Sequence, residues 1–219
     1  MPLNSAHAEL DGTTDEATSH SAKPQSAGQA AGYSHLTRPS KDDSQVIGYV
    51  EAAQAIRLIA FDVDGVMTDG GLYLSDSGEE FKRFNSLDGH GLKMLMASGV
   101  ELAFISGRTS RCVELRAKSL GVTYLHQGIN DKLDAMQKLL AKLQLPPAAA
   151  AFMGDDVVDL PAMRHVGLSL SVPDAPQVVR DRAHYVTRCS GGHGAVREAC
   201  ELLMSAQGTL TSQLASYLK

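Results

Sequence analysis

Residues 56–69 read Ile56-Arg-Leu-Ile-Ala-Phe-Asp-Val-Asp-Gly-Val-Met-Thr-Asp69, and this stretch decides the fold. Leu58 to Phe61 is a short apolar run of the kind buried on both faces of a parallel sheet. It ends in Asp62 and Asp64, which a period of two places on one face, and Gly65 then lets the chain turn sharply. Carboxylates at the carboxyl end of a buried strand stand where open α/β sheets bind their ligands.

Further along the chain the same pattern repeats. Apolar strands are expected at Val100 to Ile105, Val122 to Leu125, Ala149 to Met153, Leu168 to Val172 and Tyr185 to Thr187. Helices are expected between them: one from Asp88 to Ser98-Gly99, one around Cys112 to Leu120, one from Asn130 ahead of Pro146-Pro147, and one from Ala195 to about Gln207. Leu72 to Leu74 and Glu80 to Phe84 flank the turn residues Ser75-Asp76-Ser77-Gly78 and read as a β-hairpin. Strands alternating with helices give an α/β fold with a doubly wound parallel sheet of Rossmann type, carrying a small hairpin insert and no cap domain.

Composition limits the alternatives. Residues 1–45 are rich in Ser, Thr, Ala, Gly and Gln with few large apolar side chains, so they are expected to be a disordered tail. A single domain is expected over 46–208, opened by a short helix at Val46 to Ala55, with a C-terminal tail at 209–219. The formal charge of −5 argues against nucleic acid or an anionic membrane as the main partner. Cys112, Cys189 and Cys200 are odd in number and widely spaced, which disfavours a disulfide framework or a zinc site. No apolar run reaches the ~18 residues of a membrane span, and the N-terminus has neither the basic region nor the apolar stretch of a secretory signal. A cytoplasmic location is expected.

Four polar groups fall at strand or helix ends on one edge of such a sheet: Asp62 and Asp64, Ser106-Gly107-Arg108, Lys132, and Gly154-Asp155-Asp156 with Asp159. Singly each has an ordinary explanation. Ser-Gly-Arg can be a turn, Gly-Asp-Asp a helix cap, and Asp-X-Asp-Gly a calcium-loop fragment, although the rest of an EF-hand loop is missing. In order and together they resemble the four motifs of the haloacid dehalogenase superfamily of phosphohydrolases. Electrostatics points the same way. Asp62, Asp64, Asp155 and a phosphate dianion in one pocket would repel by ~4 kcal/mol per pair at ~4 Å and an effective dielectric of ~20, so the site calls for a divalent cation. All-oxygen ligands favour Mg²⁺.

The resemblance implies roles. Asp62 would be the nucleophile that forms an aspartyl-phosphate, and Asp64 the acid and base. Asp62, the backbone carbonyl of Asp64, and Asp155 would hold Mg²⁺. Ser106 and Lys132 would bind and neutralise the phosphoryl group. Thr68, Gly107, Arg108 and Arg197 would join them in binding substrate, and either Asp156 or Asp159 would assist the metal or orient Lys132.

Within the superfamily, the runs Phe84-Asn, Asp88-Gly-His-Gly-Leu, Gly121-Val-Thr-Tyr-Leu-His-Gln-Gly and Tyr185-Val-Thr-Arg with Gly191-Gly-His-Gly-Ala-Val-Arg-Glu resemble the 3-deoxy-D-manno-octulosonate 8-phosphate phosphatase family. This implies a Mg²⁺-dependent homotetramer with shared active sites and hairpins packed at its centre. It also implies that Gly191 to Arg197 is a mobile lid over a neighbour's site. The family commonly carries Arg where this chain has Leu87 and His193. Two alternatives stand beside it: a phosphatase of a nine-carbon keto sugar acid 9-phosphate, and a non-catalytic module associated with a cytidylyltransferase.

Overall fold

The computed structural model describes residues Asp43–Lys219, with side chains described from Gly48 onward. The tail expected over 1–45 lies outside the described residues except for its last three, which already belong to helix α1 (Asp43–Ala55). β1 (Leu58–Phe61) is buried at every residue. A two-stranded antiparallel hairpin follows, β2 (Tyr73–Leu74) and β3 (Glu80–Phe81), shorter than the residue pattern suggests. The chain continues with α2 (Ser86–Ala97), β4 (Glu101–Ile105), α3 (Arg111–Leu120), β5 (Tyr124–His126), α4 (Lys132–Leu143) and β6 (Ala150–Met153). It ends with α5 (Leu160–His165), β7 (Leu168–Ser171), α6 (Gln177–Arg180), β8 (Tyr185–Val186), α7 (Ala195–Ala206) and α8 (Leu210–Ala215).

The main sheet has six strands, all paired in parallel, in the order β5-β4-β1-β6-β7-β8. From β1 the chain winds outward one way through β4 and β5, then returns to β6 and winds the other way. Right-handed crossovers in opposite directions put helices on opposite faces. Accordingly α2 packs on α7 and α3, while α4 packs on α5. The winding reverses between β1 and β6, and a crevice opens there at the carboxyl ends of the two strands. The core runs through the sheet, with Phe61, Phe104 and Phe152 wholly buried on three adjacent strands.

Two boundaries differ from expectation for local reasons. β5 begins at Tyr124 instead of Val122 because the N–H groups of Gly121 and Val122 both bond back to the Ala117 carbonyl and close α3. α2 starts before Asp88 because the Asn85 side chain accepts from the N–H groups of Leu87 and Asp88 and caps the helix early. Residues 209–219, expected as a tail, contain α8, whose Leu210 is buried. The link from β5 to α4 spans only 127–131, so the hairpin is the only insert of any size near the crevice among the described residues.

Candidate active site

Asp62 is the first residue beyond β1, and its N–H donates to the Met153 carbonyl at 2.9 Å, which pins it against the end of β6. Gly154 continues β6 by bonding to Leu170, and Asp155 follows directly. The two strands flanking the reversal point thus deliver Asp62 and Asp155 to one place. Gly65 has φ +91°, and a side chain there would overlap the Asp155 carboxylate. A glycine is required both for the turn and for the close approach.

Lys132 opens α4, behind Asp131, whose side chain caps the helix by accepting from Asp134 N–H. Only 5% of Lys132 is exposed, and its Nζ lies 2.8 Å from Asp62 Oδ1 and 2.5 Å from Asp159 Oδ1. Asp159, entirely buried, uses its other oxygen to accept from the N–H groups of Asp155 at 3.0 Å and Asp156 at 3.1 Å. Of Asp156 and Asp159, it is Asp159 that contacts Lys132. Asp159 orients Lys132 and shapes the loop, whereas the Asp156 carboxylate caps the following turn by accepting from Val157 N–H.

Burial pushes the Asp62 carboxyl up to about 6, with Asp159 adding to the rise and Lys132 opposing it. Burial and the charges of Asp62 and Asp159 push Asp155 up to about 8. For Lys132 burial works against the charge, but Asp62 and Asp159 outweigh it and the ammonium is raised.

The donor set fits a hard divalent cation. Asp62, Asp155 and Asp159 each offer an oxygen within 4.8 Å of the others. Asp159 has both oxygens engaged by Lys132 and the two N–H groups, whereas Asp155 Oδ1 is buried and without a hydrogen-bond partner. A buried carboxylate oxygen without a donor is costly, and a cation held between neighbouring carboxylates would satisfy it. The Asp64 carboxylate turns the other way, toward Lys82, so its side chain is outside this group of oxygens.

A cleft of about 350 Å³ opens in front of these groups, lined among others by Asp62, Asp64, Ser106, Gly107, Arg108 and Lys132. Ser106 is 2% exposed and is fixed by three backbone contacts: its N–H to His126, its carbonyl from Ile129, and its Oγ from Arg108 N–H at 3.2 Å. Its hydroxyl proton remains a donor. Arg108 is half-exposed and reaches Glu80 Oε1 at 3.2 Å.

Thr68 and Arg197 stand apart from the cleft. Thr68 is buried, and its Oγ1 accepts from the N–H groups of Gly65 and Gly70 and donates to the Val63 carbonyl, which holds the turn after Asp64 in shape. Arg197 lies along α7 with its Nε 2.6 Å from Glu201 Oε1. The segment expected as a lid, Gly191 to Arg197, makes contacts within its own chain. Gly192 N–H bonds to Val66 carbonyl, and a side chain on Gly191 would overlap the Gly65 carbonyl oxygen. Gly194 and Arg197 donate their N–H groups to Asp88 at 3.3 and 2.8 Å.

Sequence reasoning missed Lys82, Glu80 and Ser110. Lys82 bonds Asp64 and lies 3.3 Å from Glu80, which in turn accepts from Ser110 Oγ at 2.5 Å. The available signal was Glu80 and Lys82 two apart in a strand, hence on one face.

A family model for haloacid dehalogenase-like hydrolases matches residues 125–198. The chain is 49% identical over 161 residues to the 3-deoxy-D-manno-octulosonate 8-phosphate phosphatase of Yersinia pestis, covering 74% of this chain and 86% of that relative. It is 48% identical, with the same coverage, to the enzyme of that name from Escherichia coli K12. The solved structure of the Moraxella catarrhalis 3-deoxy-D-manno-octulosonate 8-phosphate phosphatase, in complex with magnesium, phosphate and KDO, superposes with a TM-score of 0.76 at 41% identity. That match covers 77% of this chain and 97% of the Moraxella chain.

Proposed function

This chain belongs to the 3-deoxy-D-manno-octulosonate 8-phosphate phosphatase family of haloacid dehalogenase-like hydrolases, and we propose that it removes the 8-phosphate from that sugar acid. It is a phosphoric monoester hydrolase with Mg²⁺ as its cofactor, acting in lipopolysaccharide core synthesis. The observation that carries the reading is the pairing of Asp62, held by Lys132, with a buried and unpartnered oxygen of Asp155.

Asp62 and Asp155, with the Asp64 backbone carbonyl, would hold the cation. Bound there, Mg²⁺ offsets the repulsion between the Asp62 carboxylate and the phosphate dianion. Asp62 attacks phosphorus, the ester P–O bond breaks, and Asp64 gives a proton to the leaving alkoxide. Asp64 then takes a proton from water as that water attacks the aspartyl-phosphate and frees Asp62. Ser106 and the backbone of Gly107 donate to phosphoryl oxygens, Lys132 neutralises the nucleophile and the group it receives, and Arg108 stands at the mouth for the anionic sugar.

We extend the proposal to assembly and location. Leu72, Leu74, Phe81 and Leu87 are 55–63% exposed, a concentration of apolar side chains on the hairpin and the start of α2. A homotetramer with hairpins in contact would bury them and bring the open cleft of each subunit close to its neighbour. Free cysteines at 112, 189 and 200 suit a reducing cytoplasm, and no helix among the described residues is long and apolar enough to cross a membrane.

The test is phosphate release from a panel of sugar phosphates with and without Mg²⁺. Fastest Mg²⁺-dependent release is expected from 3-deoxy-D-manno-octulosonate 8-phosphate. A nine-carbon keto sugar acid 9-phosphate turned over faster would reassign the substrate, and no release from any member would point to a non-catalytic module. Asp62→Asn is expected to abolish release with assembly intact, and turnover at the wild-type rate in that variant would sink the covalent route.

A further inference from the structure

We propose that Lys82, carried in by the hairpin, is a positioning residue that selects which oxygen of Asp64 handles the proton; this rests on the function assigned above. The Lys82 side chain is 1% exposed although it lies next to a strand whose neighbouring residues face solvent. Its Nζ bonds Asp64 Oδ1 and lies 3.3 Å from Glu80 Oε1. Glu80 is itself anchored on the opposite wall, through Ser110 Oγ at 2.5 Å and Arg108 Nη2 at 3.2 Å. The ammonium is therefore fixed from both sides.

The other oxygen of Asp64 has no such partner. Arg108 Nε lies 3.9 Å from Oδ2, beyond hydrogen-bond range, and Asp64 lines the cleft. An ammonium only donates, and in a protonated carboxyl the carbonyl oxygen is the better acceptor, so the bond from Lys82 favours keeping Oδ1 unprotonated. When Asp64 carries a proton, the proton sits on Oδ2, the oxygen left for the leaving group. As the P–O ester bond breaks, its electron pair goes to the leaving oxygen, which takes the Oδ2 proton. When water attacks in the second step, Oδ2 recovers a proton from it, and the Asp62–phosphoryl bond breaks. Lys82 neither gains nor loses a proton in this cycle. Without it the carboxyl can rotate and present the wrong oxygen.

Leaving-group dependence separates this role from a structural one. An alkyl phosphate leaves as a strongly basic alkoxide and needs the proton, whereas 4-nitrophenyl phosphate leaves as a stabilised phenolate and does not. Kinetics of Lys82→Met are compared with wild type on a sugar phosphate and on 4-nitrophenyl phosphate, both with Mg²⁺. The expected result is a fall of about 10²-fold in kcat for the sugar phosphate and less than about threefold for the aryl ester. Equal loss on both substrates, or no loss on either, overturns the proposal. Lys82→Gln, which keeps a donor without the charge, is measured in parallel. If the Met variant does not fold, the Gln variant must still lose more on the sugar phosphate than on the aryl ester, and equal loss overturns the proposal. Wild-type protein inactive on both esters would instead reject the phosphatase reading itself.

Discussion

The ammonium of Lys132 lies 2.5 Å from a carboxylate oxygen of Asp159, a residue with no exposed surface. The same nitrogen lies 2.8 Å from Asp62. One buried cation thus joins Asp62, the proposed nucleophile, to the loop that carries Asp155. Removing one partner from such a buried set leaves uncompensated charge and costs about 3–5 kcal/mol. Lys132→Met should lower the thermal midpoint of the metal-free protein by roughly 10 °C and phosphate release by at least about 10²-fold. Scanning calorimetry and a phosphate assay check both, and an unchanged midpoint would contradict the linkage.

The raised carboxyls give the metal-free protein an unusual pH dependence. Unfolded aspartates titrate near pH ~4, whereas Asp62 and Asp155 are held up to about 6 and about 8 in the fold. Between those limits the folded state keeps protons that the unfolded state has released. Their contribution is fully present below the unfolded value and is lost as pH rises through the folded values. In chelator, the thermal midpoint should fall between pH 5 and pH 8.5 by at least roughly 3 °C. The shift produced by added Mg²⁺ should grow over the same range, because binding needs the deprotonated carboxylates. A flat profile in chelator would contradict the assignment.

Gly191 touches the loop after Asp62 where a side chain cannot fit. Gly191→Ala would push against the backbone carbonyl of Gly65, a residue whose own Cα face is already filled by the Asp155 carboxylate. Overpacking of this kind typically costs about 1–3 kcal/mol. The variant should unfold at a lower urea concentration and lose activity, whereas Gly99→Ala, in open space on the far side of the molecule but strained at φ +95°, should lose stability alone. Full activity in Gly191→Ala would show that the contact does not shape the site.

The apolar hairpin should decide assembly. Phe81→Asp combined with Leu74→Lys places charges in the proposed contact and is expected to shift the mass measured by light scattering from tetramer toward monomer. The thermal midpoint of each subunit should change little, since both side chains are exposed. Wild-type protein that is monomeric at micromolar concentration would refute the assembly.

Much of the fold was legible because β1 and β6 are uninterrupted apolar runs that end abruptly in acids, a pattern few other structures produce. Asp62, Ser106, Lys132 and Asp155 were visible because each ends a strand or opens a helix. Strand order was not, since nothing local in β1 says that it pairs with both β4 and β6. Lys82 was missed for a related reason: its partner Asp64 is distant in sequence, and a lysine in a hairpin ordinarily faces water. Nor did the sequence show that Arg197 pairs with Glu201 one helical turn on, since an i, i+4 pair forms only once the helix places both side chains on one face.

The Gly191-Gly192 contact with residues 65–68 also has a meaning in time. A growing chain exposes Asp62 and its loop early, yet the segment that braces that loop is translated only after all six strands of the main sheet, and α7 must follow to set Asp88 across its N-terminus. A nascent chain can form much of the sheet while its catalytic loop is still unsupported. Protection of the Asp62 loop in pulse-labelled translation intermediates would therefore lag behind protection of β1, β4 and β5, and phosphatase activity would emerge only once α7 has been made.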